Sequence, residues 1–115
     1  MNSPNNLPEE FFQYVWENKL FFSENLQTTA GEKLEILDVG RRNTNSGPDF
    51  FNAKIKIDST IWAGNIEIHK NASEWKKHKH DTDKSYDNVI LHVVENDDAP
   101  VVRTNKKPIP TLLLR

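Results

Sequence analysis

The sequence predicts an α/β domain, a mixed central sheet flanked by helices, and three observations predict it. Residues 53–57 alternate apolar and polar side chains, the period of a half-buried strand, and residues 61–69 read as the next strand, with Ile66 and Ile68 alternating with Asn65, Glu67 and His69. Residues 88–95, NVILHVVE, are almost continuously apolar, which marks a strand covered on both faces. Between them lies a short helical stretch, which lets the strands on either side pair in parallel through a crossover.

In chain order, residues 1–7 are polar and loose in expectation. A helix fits residues 8–19: Pro8 suits the first helical position, Glu9 and Glu10 favour the positive end of the dipole, and Phe11, Phe12, Val15 and Trp16 form one apolar face. Leu20 and Phe22 extend that apolar surface, and residues 23–31 read as a loop turning at Ala30-Gly31. Residues 33–39 form a first strand ending at Gly40, and RRNTNSGP, residues 41–48, is a loop. In residues 53–57, Ala53, Ile55 and Ile57 share one face and Lys54 and Lys56 the other. A turn at residues 58–60 leads into the strand IWAGNIEIH, with a bulge or a close approach expected at Ala63-Gly64. Ser73 caps a short helix over residues 74–80, and residues 80–88 form a polar linker before the apolar strand. Residues 101–104 and 111–114 are short candidate strands around a Lys-Lys-Pro turn.

At 115 residues the chain is read as one domain, residues 1–115, with a small core built on six Phe, three Trp and two Tyr. Its net charge of −2 creates no global attraction to nucleic acid or anionic membrane, so any basic surface is local. With no cysteine, disulfides and thiolate metal sites are excluded. The first ten residues lack the apolar region of a signal peptide, and no apolar run approaches the roughly 20 residues of a membrane span. The simplest expectation is a cytoplasmic protein with no membrane partner. The strand-like run at residues 110–115 stops abruptly, as in the N-terminal part of a longer protein.

The chemistry concentrates in residues 45–83. Glu67 and His69 are two apart on one strand and point to the same face, which Asn65 shares, while Ile66 and Ile68 face the core. If the Gly47-Pro48-Asp49 turn aims Asp49 at them, two carboxylates and a histidine converge. Carboxylates with water and a phosphate are a sufficient site for Mg²⁺ or Mn²⁺. Spacing alone equally allows a solvated strand face for Glu67 and His69, and ordinary turn chemistry is the commoner meaning of Gly-Pro-Asp. The run WKKHKH places Lys76, Lys77, Lys79 and Lys70 in a local basic patch, with His78 and His80 beside it, suited to a nucleic-acid phosphate; a solvated helix face is the commoner meaning of such a run. His69 and His78 with a carboxylate also suit zinc, though at no standard spacing. His92, inside the apolar strand, reads first as a core histidine satisfied by a backbone carbonyl.

The runs GPDFFNAKI, WAGNIEIHKNASEW and HKHDTDKSYDNVILHVV, with the helix bearing Trp16 and the loop from Gly40 to Asn45, resemble the bacterial family called domain of unknown function 2851, which assigns no activity. The order helix-strand-strand-strand-helix-strand is similar, more distantly, to the restriction-endonuclease-like α-β-β-β-α-β core of the PD-(D/E)xK nuclease superfamily. That resemblance implies that Asp49 and Glu67 ligate the metal, with His69 at the place usually taken by lysine and Glu10 as a further acid on the first helix. It implies a metal-dependent hydrolase with Asp49, Glu67 and His69 catalytic and Mg²⁺ or Mn²⁺ as cofactor, and the basic run adds Lys76, Lys77, His78 and His80 as the expected contacts to nucleic acid. The alternatives are a nucleic-acid-binding module without chemistry and an interaction or scaffold domain.

Overall fold

A computed structural model describes residues 7–21 and 23–114. The loose start expected over residues 1–6, the apolar Phe22 and the terminal Arg115 lie outside the described residues. Helix α1 runs Glu9–Glu17, strand β1 Leu34–Asp38, β2 Arg41–Arg42, β3 Phe50–Ile57 and β4 Thr60–Asn71. Helix α2 is Glu74–Lys77, β5 is Val89–Asn96 and β6 is Thr111–Leu113.

The strands form one mixed six-stranded sheet in the order β1-β3-β4-β5-β6, with β2 also paired to β3. The β1-β3 and β3-β4 pairs are antiparallel, and β4-β5 and β5-β6 are parallel. The segment carrying α2 makes the β4-β5 crossover that a parallel pair requires.

Side-chain alternation divides the interior in two. Ile66 and Ile68 of β4, Leu91 and Val93 of β5 and Phe50 and Ile55 of β3 pack with Phe12 and Trp16 of α1. Trp16 is fully buried, its indole N–H donates to the Val39 carbonyl at 3.0 Å, and its ring stacks on Phe21 at 5.2 Å. On the other side Trp75 of α2 packs with Ala72, Val89, Val94, Val101 and Ile109. Trp75 donates to the Val102 carbonyl at 2.8 Å, which pins α2 to the loop before β6. Of the three Trp residues only Trp62 is exposed.

Several expectations change. The two helices are shorter than expected: α1 begins after Pro8, which caps it from extended backbone, and α2 is a single turn. The helix expected over residues 74–80 ends because Lys79 takes a left-handed conformation, φ 61°, and two 3₁₀ turns, His80–Thr82 and Lys84–Tyr86, replace the linker. Arg41 and Arg42, read as loop, pair with Phe51 and Phe50. Of residues 101–104 only Val102 pairs, in an isolated bridge to Pro108.

The bulge lies on β3 rather than β4. Pairs from Ile57 opposite Thr60 to Ala53 opposite Gly64 keep one register, and then the register shifts so that Phe50 faces Ile66. Asn52, at φ 60°, stands in this step. Gly40, at φ 87°, packs against it, and a Cβ there would come within 2.8 Å of the Phe51 carbonyl. At Gly64 the close approach is real: a Cβ would meet the Asn88 carbonyl at 2.5 Å.

Candidate metal centre

The bulge decides what Asp49 meets. Continued unshifted, the ladder would set Asp49 against Ile68; the one-residue step sets it against Glu67, one place beyond the Phe50-Ile66 pair. The Asp49 backbone N–H donates to Glu67 Oε1 at 3.1 Å, and the Ile68 N–H donates to Asp49 Oδ2 at 2.8 Å. Each carboxylate thus accepts a backbone N–H from the opposite strand segment. Asp49 is held from α1 as well: Gln13 Nε2 donates to its Oδ1 at 3.2 Å, and Arg42 Nη2 donates to Gln13 Oε1 at 2.6 Å. The short strand β2 therefore places the guanidinium that orients this relay.

Glu67 turns its second oxygen to a wall of histidines. Oε2 lies 3.3 Å from His69 Nε2 and 3.1 Å from His80 Nε2. His69 Nδ1 bonds His92 Nε2 at 2.7 Å, because β5 sets His92 beside Glu67 in parallel register. His92 thus takes a histidine partner rather than the backbone carbonyl expected. The left-handed Lys79 bends the chain after α2 so that His80 points inward, stacked on Tyr86 at 3.6 Å and edge-on to Trp75 at 5.2 Å. His80 is buried against Glu67, whereas His78, Lys76 and Lys77 are exposed. One ligand atom each from His69, His78 and His80 fall within 4.8 Å of one another.

The acid on α1 that approaches this group is Glu9. Its charge acts on Asp49 and Glu67, while Glu10 is exposed. Neighbouring helix residues point about 100° apart, so only one of the adjacent pair faces the sheet, and Phe12 and Trp16 set which. Sequence reasoning also missed Gln13 and Arg42. Gln13 carried a signal of sorts, since it is a polar residue beside Phe12 on the buried face.

Burial dominates the electrostatics. It pushes the Glu67 carboxyl up to about 10, with the Asp49 charge adding to the rise. Burial likewise raises Asp49, against the Ile68 N–H and the Arg42 charge, and brings Glu9 to about 7. The histidines are pushed down, His69 to about 2, His92 to about 3 and His80 to about 4, first by burial and then by one another. Without a cation the site therefore favours a protonated Glu67 and neutral imidazoles. A divalent ion would replace that proton and take nitrogens already in ligand form. Asp49 and Glu67 offer oxygen donors, the type that suits Mg²⁺ or Mn²⁺, and the histidines offer nitrogen donors, the type that suits later transition metals.

A pH test follows. The native chain keeps the Glu67 proton that the unfolded chain releases near 4.5, so this group's stability contribution is complete below 4.5 and is lost as pH rises toward about 10. The histidines act oppositely, and their contribution is lost as pH falls from 6.5 through their lowered values. In chelator, Glu67→Gln is expected to remove the alkaline loss and to melt at least about 4 °C above the parent near pH 9, with a smaller gap near pH 6. Equal gaps at both pH values would contradict a protonated Glu67.

No helix among the described residues is long and apolar enough to cross a membrane. Searches of curated proteins and of solved structures each return no significant match. A family described as protein of unknown function (DUF2851) matches residues 9–115, a span that holds every residue of the site just described. The chain belongs to the DUF2851 family.

Proposed function

We propose that this domain is a metal-dependent hydrolase of nucleic-acid phosphodiesters, with Asp49 and Glu67 as the carboxylates that hold Mg²⁺ or Mn²⁺. The observation that carries the reading is the β3 bulge, which turns two acids from different strands onto each other beside a buried histidine. The strand order supports it: a helix, an antiparallel β1-β3-β4 set, a crossover and a parallel β5 follow the order of the PD-(D/E)xK nuclease core. A bound divalent ion would supply an activated water and charge neutralisation at a phosphate.

The chain's own residues do the rest. Gln13, held by Arg42, and the Ile68 N–H keep both oxygens of Asp49 oriented. His69, braced by His92, stands at Glu67 in place of the superfamily's lysine and positions the attacking water. Lys76 and Lys77, exposed after β4 with His78 beside them, supply the local positive surface for phosphate. His80, read first as a phosphate contact, is instead assigned to the interior of the site, since it is buried on Glu67. Glu9 takes the part first given to Glu10.

Purified protein is to be incubated with single- and double-stranded DNA and with RNA, in Mg²⁺, in Mn²⁺ and in EDTA. Cleavage that needs the metal supports the proposal; no cleavage of any substrate with any metal defeats it. Glu9→Gln is expected to slow cleavage at least about tenfold, the scale for residues supporting a metal site, while Glu10→Gln leaves the rate unchanged. A second reading, a non-catalytic domain that uses the metal for stability, is favoured by the enclosure of Glu67, which is only 4% exposed. Tight metal binding without turnover would select it.

A further inference from the structure

We propose that His69, His78 and His80, with Oε2 of Glu67, form a transition-metal site of the zinc type, distinct from the carboxylate site for Mg²⁺ or Mn²⁺. Nothing in this inference requires that the domain cleave nucleic acid.

The ring geometry carries it. The centroids of the three imidazoles form a nearly equilateral triangle with sides of 5.2, 5.5 and 5.6 Å. A metal about 2.0–2.1 Å from an imidazole nitrogen lies about 3.2 Å from that ring's centroid, so three tetrahedrally disposed rings have centroids about 5.3 Å apart. The triangle therefore has the dimensions of a three-histidine metal site. A fourth donor stands beside two of the three rings. Glu67 Oε2 stands 3.3 Å from His69 Nε2 and 3.1 Å from His80 Nε2. Neighbouring ligand atoms in a tetrahedral site are about 3.3–3.4 Å apart, so these contacts need little change. The nitrogens' 4.8 Å spread calls for a small inward turn, and exposed His78 is the residue free to make it.

Two further observations separate this group from ordinary histidine packing. First, His69 engages His92 through Nδ1, leaving Nε2 toward Glu67. A metal-bound histidine commonly has its other nitrogen held in this way. Second, His80 Nδ1 and His92 Nδ1 are buried with no hydrogen-bond partner. Such atoms are uncommon in a settled polar core, and one of them belongs to a ring of the triangle. The two oxygens of Glu67 divide the labour. Oε1 faces the Asp49 backbone and Oε2 faces the histidines, so one carboxylate joins an oxygen-rich half and a nitrogen-rich half. Nitrogen donors favour Zn²⁺, Co²⁺ and their neighbours over Mg²⁺.

The test titrates Co²⁺ and Zn²⁺ into chelator-treated full chain carrying no histidine tag. One Co²⁺ per chain, with the strong visible absorption of four-coordinate cobalt, and displacement by Zn²⁺ are expected. His78→Ala, a surface change that leaves the core intact, is expected to weaken Zn²⁺ binding at least about 100-fold, because it removes a direct ligand where supporting residues alone cost 10–100-fold. Asp49→Asn is expected to keep the cobalt spectrum while losing Mg²⁺ binding. Zn²⁺ affinity unchanged by His78→Ala, a six-coordinate cobalt spectrum, or cobalt binding lost with Asp49→Asn but kept without His78 would each overturn the site. None of these readouts depends on cleavage, so a failed nuclease assay and a failed metal site are told apart.

Discussion

Asp49→Asn and Glu67→Gln are each expected to abolish Mg²⁺-dependent cleavage while leaving the chain folded. The expected loss is at least about 1,000-fold, because metal stabilisation of transition-state charge is worth several kcal/mol and each 1.36 kcal/mol is tenfold in rate. The amide variants are preferable to alanine. Asp49 accepts the Ile68 N–H at 2.8 Å, and alanine would leave that donor unsatisfied at a cost of about 1–3 kcal/mol. Asparagine keeps an acceptor there, and glutamine keeps one for the Asp49 N–H. Rates measured with circular dichroism and Mg²⁺ calorimetry on the same samples check the prediction. Retained cleavage in both variants, with folding intact, would remove Asp49 and Glu67 from the chemistry.

The second large effect concerns packing. Trp75→Ala is expected to destabilise the domain by about 3–5 kcal/mol, the range for deleting a large buried aromatic side chain. That is a large share of the stability of a domain this size, of order 5–15 kcal/mol. The indole fills the second face of the sheet, donates to the Val102 carbonyl and touches His80 and His92, each at a ring distance of 5.2 Å. With a urea m-value of about 1–3 kcal/mol/M, the midpoint should fall by more than about 1 M. Trp16→Ala should cost as much from the opposite face, where its indole holds Val39. The two differ in their effect on metal. Zn²⁺ should restore stability to the Trp16 variant by mass action and much less to the Trp75 variant, whose His80 has lost its wall. Equal rescue of both would show that Trp75 does not position the histidines.

Much of the sheet was legible because its signals are local. Ala53, Ile55 and Ile57 announce a strand by alternation and are all buried. The run at residues 88–95 announces a strand covered on both sides, and β5 is buried from Val89 to Val94. Ile66 and Ile68 went to the core as their spacing required, which left Glu67 and His69 together on the other side. Glu9 was missed because a helix carries adjacent acids 100° apart, and only its docking against the sheet selects one. His80 was assigned outward because a continuing helix would point it there, and a single left-handed residue, Lys79, reversed it. The pairing of Arg41 and Arg42 had no alternation to reveal it, since a strand of two residues has no period.

By itself the sequence determined the chemistry on offer: which acids and imidazoles exist, which strands carry them, and which faces of those strands are apolar. All of that follows from periods of two or 3.6 residues along the chain. Tertiary structure alone decided which groups touch. One extra residue at Asn52 moves Asp49 from Ile68 to Glu67, and the parallel register of β5 sets His92 beside Glu67, within reach of His69. Contacts between distant strands depend on register, and register here turns on a bulge whose position the alternating pattern does not encode.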